Sequence, residues 1–454
     1  MTKISVSSPQ DSLAPPKNTH HELVHGRPEE WLPGFIRHVD TRERPLPFNA
    51  AIERLRGLIE SRTDLRMWAS AMFEEVPNKI PYNKRGTRAR SHVRGYSHMI
   101  DLLNVVATEV APAWTMFTPA FGLSLVGLPF QAILDWPMGT PSGHAFFLND
   151  DVNARFKDVL ESWRDNVLAT SKSLGVITTD PSGWLSKEAI AAFEHMANMD
   201  SRHQYTFQQL YKCDAHRDPV HWGFKSWDDL FTRRFRDMDK IRPVGFPDRP
   251  EWVVNACESK PVAIKRCAKQ HDKFWLKGTN YSVADMLNHH EWADRFVGGT
   301  VYQAVIDSTA YHRWHAPASG QVVFAKVVSG AYFSERSTNG LGGEPIVPPD
   351  FDHVYLSHTA TRALVFIQAD DPVGLLCFVA VGMADVSTCE IASKFATGWP
   401  RAVAKGEELG TFRYGGSSQC LLFRKGLKLA FTEQAAPENH TNMAVRSPLA
   451  FAYM

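Results

Sequence analysis

The sequence predicts an α+β protein, with a mainly helical N-terminal region followed by a β-rich domain. Three observations predict it. Apolar residues recur at three- and four-residue steps through the first two hundred positions. Beyond about residue 215, short β-branched segments separated by Gly and Pro take over. A chain of 454 residues also exceeds the usual size of a single core, so two domains are expected.

In order along the chain, residues 1–45 read as a disordered tail and linker. They carry Pro15-Pro16, His20, His21, His25, Pro28, Pro33 and Pro45, and the first seventeen residues lack the apolar run of a signal peptide. A helical domain is expected over 46–215. Its signals are Ile52, Leu55, Leu58 and Ile59, then Leu65, Met67, Trp68 and Met72. A further run, Val152, Phe156, Val159, Leu160, Trp163 and Val167, has Asp150 or Asp151 as its expected N-cap, and Lys187 to Met196 forms another. The β-rich domain is placed over 216–454. It opens with Trp227-Asp228-Asp229-Leu230-Phe231 and the basic knot Arg233-Arg234-Phe235-Arg236. Strands are expected at 252–254, 300–305, 321–328, 363–367, 375–381 and 419–423.

Composition removes several functions. Charged residues are 22%, hydrophobic ones 44%, and the net charge is +1; no basic stripe marks a nucleic-acid partner. The six cysteines are scattered without a CxxC pair. That excludes a zinc cage and a disulfide framework and fits reduced thiols in a cytoplasmic setting. Trp114 to Met138 is apolar but interrupted by Pro119, Gly122, Gly127 and Pro129. A spanning helix needs about 20 continuous apolar residues, so a buried or cleft-lining segment is expected there, with attachment to a lipid surface left open.

Two strings carry the chemistry. In Arg413-Tyr414-Gly415-Gly416-Ser417-Ser418, glycines permit the bent backbone that a serine hydroxyl needs to attack the preceding carbonyl. Such an attack also requires a base and donors for the developing oxyanion. Alone, Gly-Gly-Ser-Ser is a commonplace turn, but here it precedes an apolar strand. In Tyr311-His312-Arg313-Trp314-His315-Ala316-Pro317, the two histidines could share a helix face as metal ligands, yet no third ligand lies nearby. Packed structural histidines are the alternative.

Five ordered strings resemble the phosphatidylserine decarboxylase family. They are Phe224 to Pro243, Lys277-Gly278-Thr279-Asn280-Tyr281-Ser282, Tyr311 to Pro317, Lys405 to Gly410 with Phe412, and Gly416-Ser417-Ser418. The resemblance implies self-cleavage between Gly416 and Ser417, with Ser417 becoming a covalent pyruvoyl cofactor that works through a Schiff base. PLP and metal are not called for, and the two cleaved chains would stay associated. It implies His315 as the base that activates Ser417 and His312 as the acid/base of decarboxylation. Glu258, in Asn255-Ala256-Cys257-Glu258-Ser259, would stand for the family's aspartate that orients His315, with one extra methylene. The whole length resembles a fungal subgroup of soluble L-tryptophan decarboxylases. A free aromatic amino acid is therefore the expected substrate, tryptophan first. Phosphatidylserine is the alternative, and an inactive binding module on the same fold a distant one.

Overall fold

The computed structural model describes residues 28–79, 82, 90–114, 128–199, 203–272, 281–335, 352–383, 385, 388–439 and 441–453. The expected N-terminal tail up to residue 27, and Lys277 to Asn280 of the second family string, lie outside them. The α+β class is as expected: helices fill the first half and strands the second.

The helices are α1 (Pro28–Asp40), α2 (Ala50–Ser61), α3 (Thr63–Ala71), α4 (Tyr96–Glu109), α5 (Pro129–Met138), α6 (Pro141–Phe147), α7 (Asp150–Trp163) and α8 (Lys187–Asn198). Short helices α9 (Phe207–Leu210), α10 (Trp227–Phe231) and α11 (Met238–Ile241) lead into the strands. Asn49 caps α2 by accepting from the Ala51 N–H at 2.8 Å, and Ile52, Leu55 and Ile59 are fully buried. At α7 the cap is Asn149, which accepts from Asp151 and Val152 at 3.1 and 3.2 Å. Asp150 and Asp151, expected as caps, instead occupy the first turn, where a negative charge suits the helix dipole.

Helix α1 corrects the reading of 1–45 as tail and linker. Phe35 and Ile36 are buried, and Trp31 stacks on Phe35 at 4.9 Å. The apolar face finds its cover in the tertiary core, a gain that Pro- and His-rich composition cannot reveal. Of the Trp114–Met138 segment, Trp114 is buried and Pro129–Met138 is helical; residues 115–127 lie outside the described set. Among the described residues, no helix is long and apolar enough to cross a membrane.

The strands are β1 (Trp252–Val254), β2 (Lys260–Arg266), β3 (Thr300–Ile306), β4 (Arg313–His315), β5 (Gly320–Val328), β6 (Arg362–Ala369), β7 (Leu375–Gly382), β8 (Thr388–Ile391), β9 (Arg401–Val403), β10 (Glu408–Arg413), β11 (Ser417–Phe423), β12 (Lys428–Phe431) and β13 (Pro448–Tyr453). An antiparallel sheet of order β2-β3-β11-β7-β6-β5-β9 dominates, flanked by β4-β10-β8 and β1-β13-β12. Side chains alternate across a strand, so each face of the large sheet builds its own core. Leu376, Phe378, Leu421 and Phe423 join Trp314, Leu409 and Phe412 of the β4-β10-β8 sheet. Cys377, Val379, Cys420 and Leu422 face the opposite core with Tyr281, Val283 and Met286. The helical core is continuous with the β half, because Tyr311, Phe333, Tyr414 and Val445 belong to it.

Candidate active site

Ser417 is the first residue of β11, in register with Ile306 of β3 and Gly382 of β7. By alternation from Leu421 and Phe423, its side chain belongs to the face covered by β4 and β10. The residue is fully buried, and its Oγ has no hydrogen-bond partner. Leaving a hydroxyl in that state costs about 1–3 kcal/mol, and the Oγ of the adjacent Ser418 is buried without a partner as well. The approach to it is strained: Tyr414 has φ 50° and Gly415 φ 108°, a turn that glycine permits and tyrosine adopts only under tertiary constraint. The Gly416 carbonyl, the one the serine would attack, accepts from the Met383 N–H at 2.9 Å.

His315 ends β4 and His312 stands just before its first residue, neither on a helix, so the shared helix face is not formed. The Phe412 N–H donates to the His312 carbonyl at 3.0 Å, continuing the β4–β10 ladder to His312, and residues three apart on extended backbone point to opposite faces. His312 stacks on Phe231 with centroids 3.9 Å apart, and Phe231 also meets the Tyr414 ring at 5.6 Å. The His312 Nε2 lies 3.3 Å from the Ser308 carbonyl, whereas Nδ1 is buried and unpartnered. Burial, with the Arg233 charge added, pushes His312 down to about 3. The imidazole is therefore neutral at physiological pH, its proton on Nε2 and a free lone pair on Nδ1.

His315 is held on the other side. Its Nδ1 lies 2.8 Å from the Gly406 carbonyl, which also accepts from Arg446 Nε at 2.8 Å. A carbonyl can only accept, so Nδ1 carries the proton and Nε2 is the basic atom. The Tyr311 hydroxyl lies 3.2 Å from that Nε2. Burial lowers His315 to about 4, the Gly406 hydrogen bond opposing it. Among the described residues, no cluster of three or more His, Cys, Asp or Glu side chains could hold a metal ion.

Among the described residues the Glu258 carboxylate makes no hydrogen bond to His315, unlike the expected orienting contact. Its carboxylate pairs with Arg242 at 2.5 Å, both side chains 2% exposed. It also accepts from the Val445 N–H at 3.2 Å and Asn442 at 3.4 Å. Arg242 in turn donates to the Ala197 carbonyl of α8 and lies over Phe235, so the longer side chain ties the β half to the helices. Removing one partner of a buried pair leaves an uncompensated charge, costing about 3–5 kcal/mol. Glu258→Gln is accordingly expected to lower the thermal midpoint clearly while its folded fraction self-cleaves normally. Unchanged stability with slowed cleavage, read by melting and intact mass, would restore the orienting role.

The structure adds residues that motif matching passed over. Gln419, two positions after Ser417, donates to Asn255 Oδ1 at 2.8 Å and Ser259 Oγ at 2.7 Å. The Asn255–Ser259 string thus meets the cleavage strand through its polar ends. Glu408 accepts from Arg313 and Arg234, each at 2.7 Å, which explains both the Lys-Gly-x-Glu run and part of the basic knot. Asp385, fully buried, accepts from the Phe130 and Gln131 N–H groups at the start of α5. Burial raises its carboxyl well above the usual range. Gln419 and Met383 lack a distinctive local signal, and only the strand alternation after Ser417 could have flagged Gln419.

A buried serine after a glycine turn, the preceding carbonyl held by an N–H, and two buried neutral histidines in the adjoining β4 segment make up the candidate site. Phosphatidylserine decarboxylase models match residues 49–193 and 227–446. The chain is 38% identical to the decarboxylase iboD of Amanita muscaria over 70% of its own length and 89% of the relative's. It is 32% identical to the L-tryptophan decarboxylase of Psilocybe cubensis over 75% of each chain, and 34% identical to that of Psilocybe cyanescens over 68% and 71%. The chain belongs to the phosphatidylserine decarboxylase family and is a decarboxylase.

Proposed function

We propose that this protein is a self-processing, pyruvoyl-dependent decarboxylase of a free aromatic L-amino acid, tryptophan before others. The observation that carries the reading is the buried, unpartnered Ser417 Oγ behind a Gly416 carbonyl that accepts from Met383. That hydroxyl, free of any competing partner and preceded by Gly415-Gly416, fits the residue from which a pyruvoyl group is made. Attack of Oγ on the Gly416 carbonyl moves the acyl group from nitrogen to oxygen, with the Met383 N–H stabilising the oxyanion. Elimination across the Cα–Cβ bond of residue 417, with loss of its α-proton, then releases chain 1–416 as a carboxylate and leaves a dehydroalanine. This tautomerises to an imine, which takes up one water with loss of ammonia to give the pyruvoyl group. The family resemblance assigns the serine proton to His315, whose ring is fixed by Gly406 with its basic Nε2 beside the Tyr311 hydroxyl. The pyruvoyl group supplies an electron-accepting carbonyl for the pair released with CO₂. His312, neutral and with a free Nδ1, holds or moves a proton at that atom. Complete burial of Ser417 and His312 keeps bulk water from the site.

An aromatic substrate is supported by the two relatives named L-tryptophan decarboxylase. Turnover assays with tryptophan, tyrosine, phenylalanine and detergent-dispersed phosphatidylserine test it. Release of CO₂ from tryptophan with none from the lipid is expected. Turnover of the lipid alone would overturn the substrate while leaving the self-processing centre standing.

A further inference from the structure

We propose that Arg233 is the positioning residue for His312: its guanidinium grips the two carbonyls that precede the Tyr311-His312 pair and so fixes the imidazole that handles the proton in decarboxylation. The inference rests on the reading of His312 given above. Arg233 is the first residue of the basic knot, a composition that suggests a solvated surface. It is instead 3% exposed. Its Nη2 donates to the Thr309 carbonyl at 2.6 Å and the Ala310 carbonyl at 2.7 Å, and Nη1 reaches the Leu230 carbonyl at 3.4 Å. The guanidinium lies over the rings of Phe193 at 4.6 Å and Tyr211 at 4.4 Å. No carboxylate pairs with it among the described residues, and its Nε is buried without a partner.

This is an unusual way to bury a charge. A cation placed in a protein interior is ordinarily neutralised by an acid; here carbonyl dipoles and aromatic faces do that work. The geometry gives the arrangement a purpose. Ser308, Thr309 and Ala310 form the turn from β3 into the histidine string, and Ser308 supplies the carbonyl that faces His312 Nε2. Fixing the next two carbonyls fixes that turn, and with it which ring nitrogen of His312 keeps its lone pair. Phe231, two residues before Arg233, stacks on the same imidazole, so one short segment meets His312 at its ring face and holds the turn that precedes it. The positive charge also opposes protonation of His312. A carboxylate partner on Arg233 would cancel that effect.

The test uses Arg233→Gln and Arg233→Lys in the full chain, each also combined with Ser417→Ala to give an uncut form. In the uncut form, ¹⁵N spectra of the histidines at pH 7 are expected to show one fixed His312 tautomer, with the proton on Nε2. Arg233→Gln is expected to give a mixture. In the self-cleaved enzyme, kcat is expected to fall about 10²-fold, the scale of a small misplacement of a reacting group, with KM within about twofold. Arg233→Lys, which keeps the charge and one donor, should recover about tenfold of that loss. An unchanged tautomer together with an unchanged kcat in folded Arg233→Gln overturns the proposal. Should that variant not fold, Arg233→Met, which keeps the stem against Phe193 and Tyr211 but removes the donors, takes its place, and wild-type tautomer and kcat in it overturn the proposal equally. A disturbed tautomer with normal kcat upholds the positioning by Arg233 and removes His312 from the reaction instead.

Discussion

Ser417→Ala is expected to leave one uncut chain of 454 residues with no decarboxylation above background. The wild-type protein should instead yield a chain of 416 residues and one of 38, since 454 − 416 = 38, the smaller beginning at the former Ser417. The Oγ is buried and unpartnered, the preceding turn is strained at Tyr414 and Gly415, and the scissile carbonyl is polarised by Met383. Removing the hydroxyl takes away the nucleophile and relieves an unsatisfied polar atom, so the variant should be at least as stable as the uncut parent. Intact mass, a denaturing gel and a CO₂-release assay decide it. A purified, active enzyme that remains a single chain with an ordinary serine at 417 would refute the proposed chemistry.

The second large effect separates the two histidines. His315→Ala is expected to block cleavage, because the serine hydroxyl is a poor nucleophile without a base. His312→Ala is expected to cleave at least in part and then decarboxylate about 10²-fold or more slowly. Both rings are neutral well below pH 7, at about 3 for His312 and about 4 for His315. Burial is the first cause in each case, and it leaves their lone pairs available across the physiological range. The structure distinguishes them further. The basic nitrogen of His315 already has Tyr311 beside it, while that of His312 has no partner. Tyr311→Phe therefore serves as a control, expected to change cleavage rather than turnover. Should His312→Ala remain uncut while His315→Ala is cleaved, the two roles are exchanged.

Much of this was present in the chain itself. The β-branched segments at 252–254, 300–305 and 375–381 coincide with β1, β3 and β7 almost residue for residue, because a strand buried on both faces must be apolar at nearly every position. Apolar spacing likewise located α2, α7 and α8, since an amphipathic helix writes its buried stripe into the sequence. Gly415-Gly416-Ser417 and the histidine string were legible as motifs, because their chemistry demands particular residue types close together.

What the tertiary structure alone decided depends on partners distant in sequence. Helix α1 forms from a Pro-rich stretch because Phe35 and Ile36 find cover in the helical core. Glu258, matched to an orienting acid by its place in a string, spends its charge on Arg242, sixteen residues earlier. The extra methylene and the neighbouring cation govern where that carboxylate goes, and neither is visible in a local motif. Arg233 looks like part of a solvated basic run, yet it is buried against carbonyls seventy-six and seventy-seven residues away. Residue type and spacing determine which groups are available for chemistry. Only the packing of sheet against helices determines which of them meet, because hydrogen bonds and desolvation act between neighbours in space.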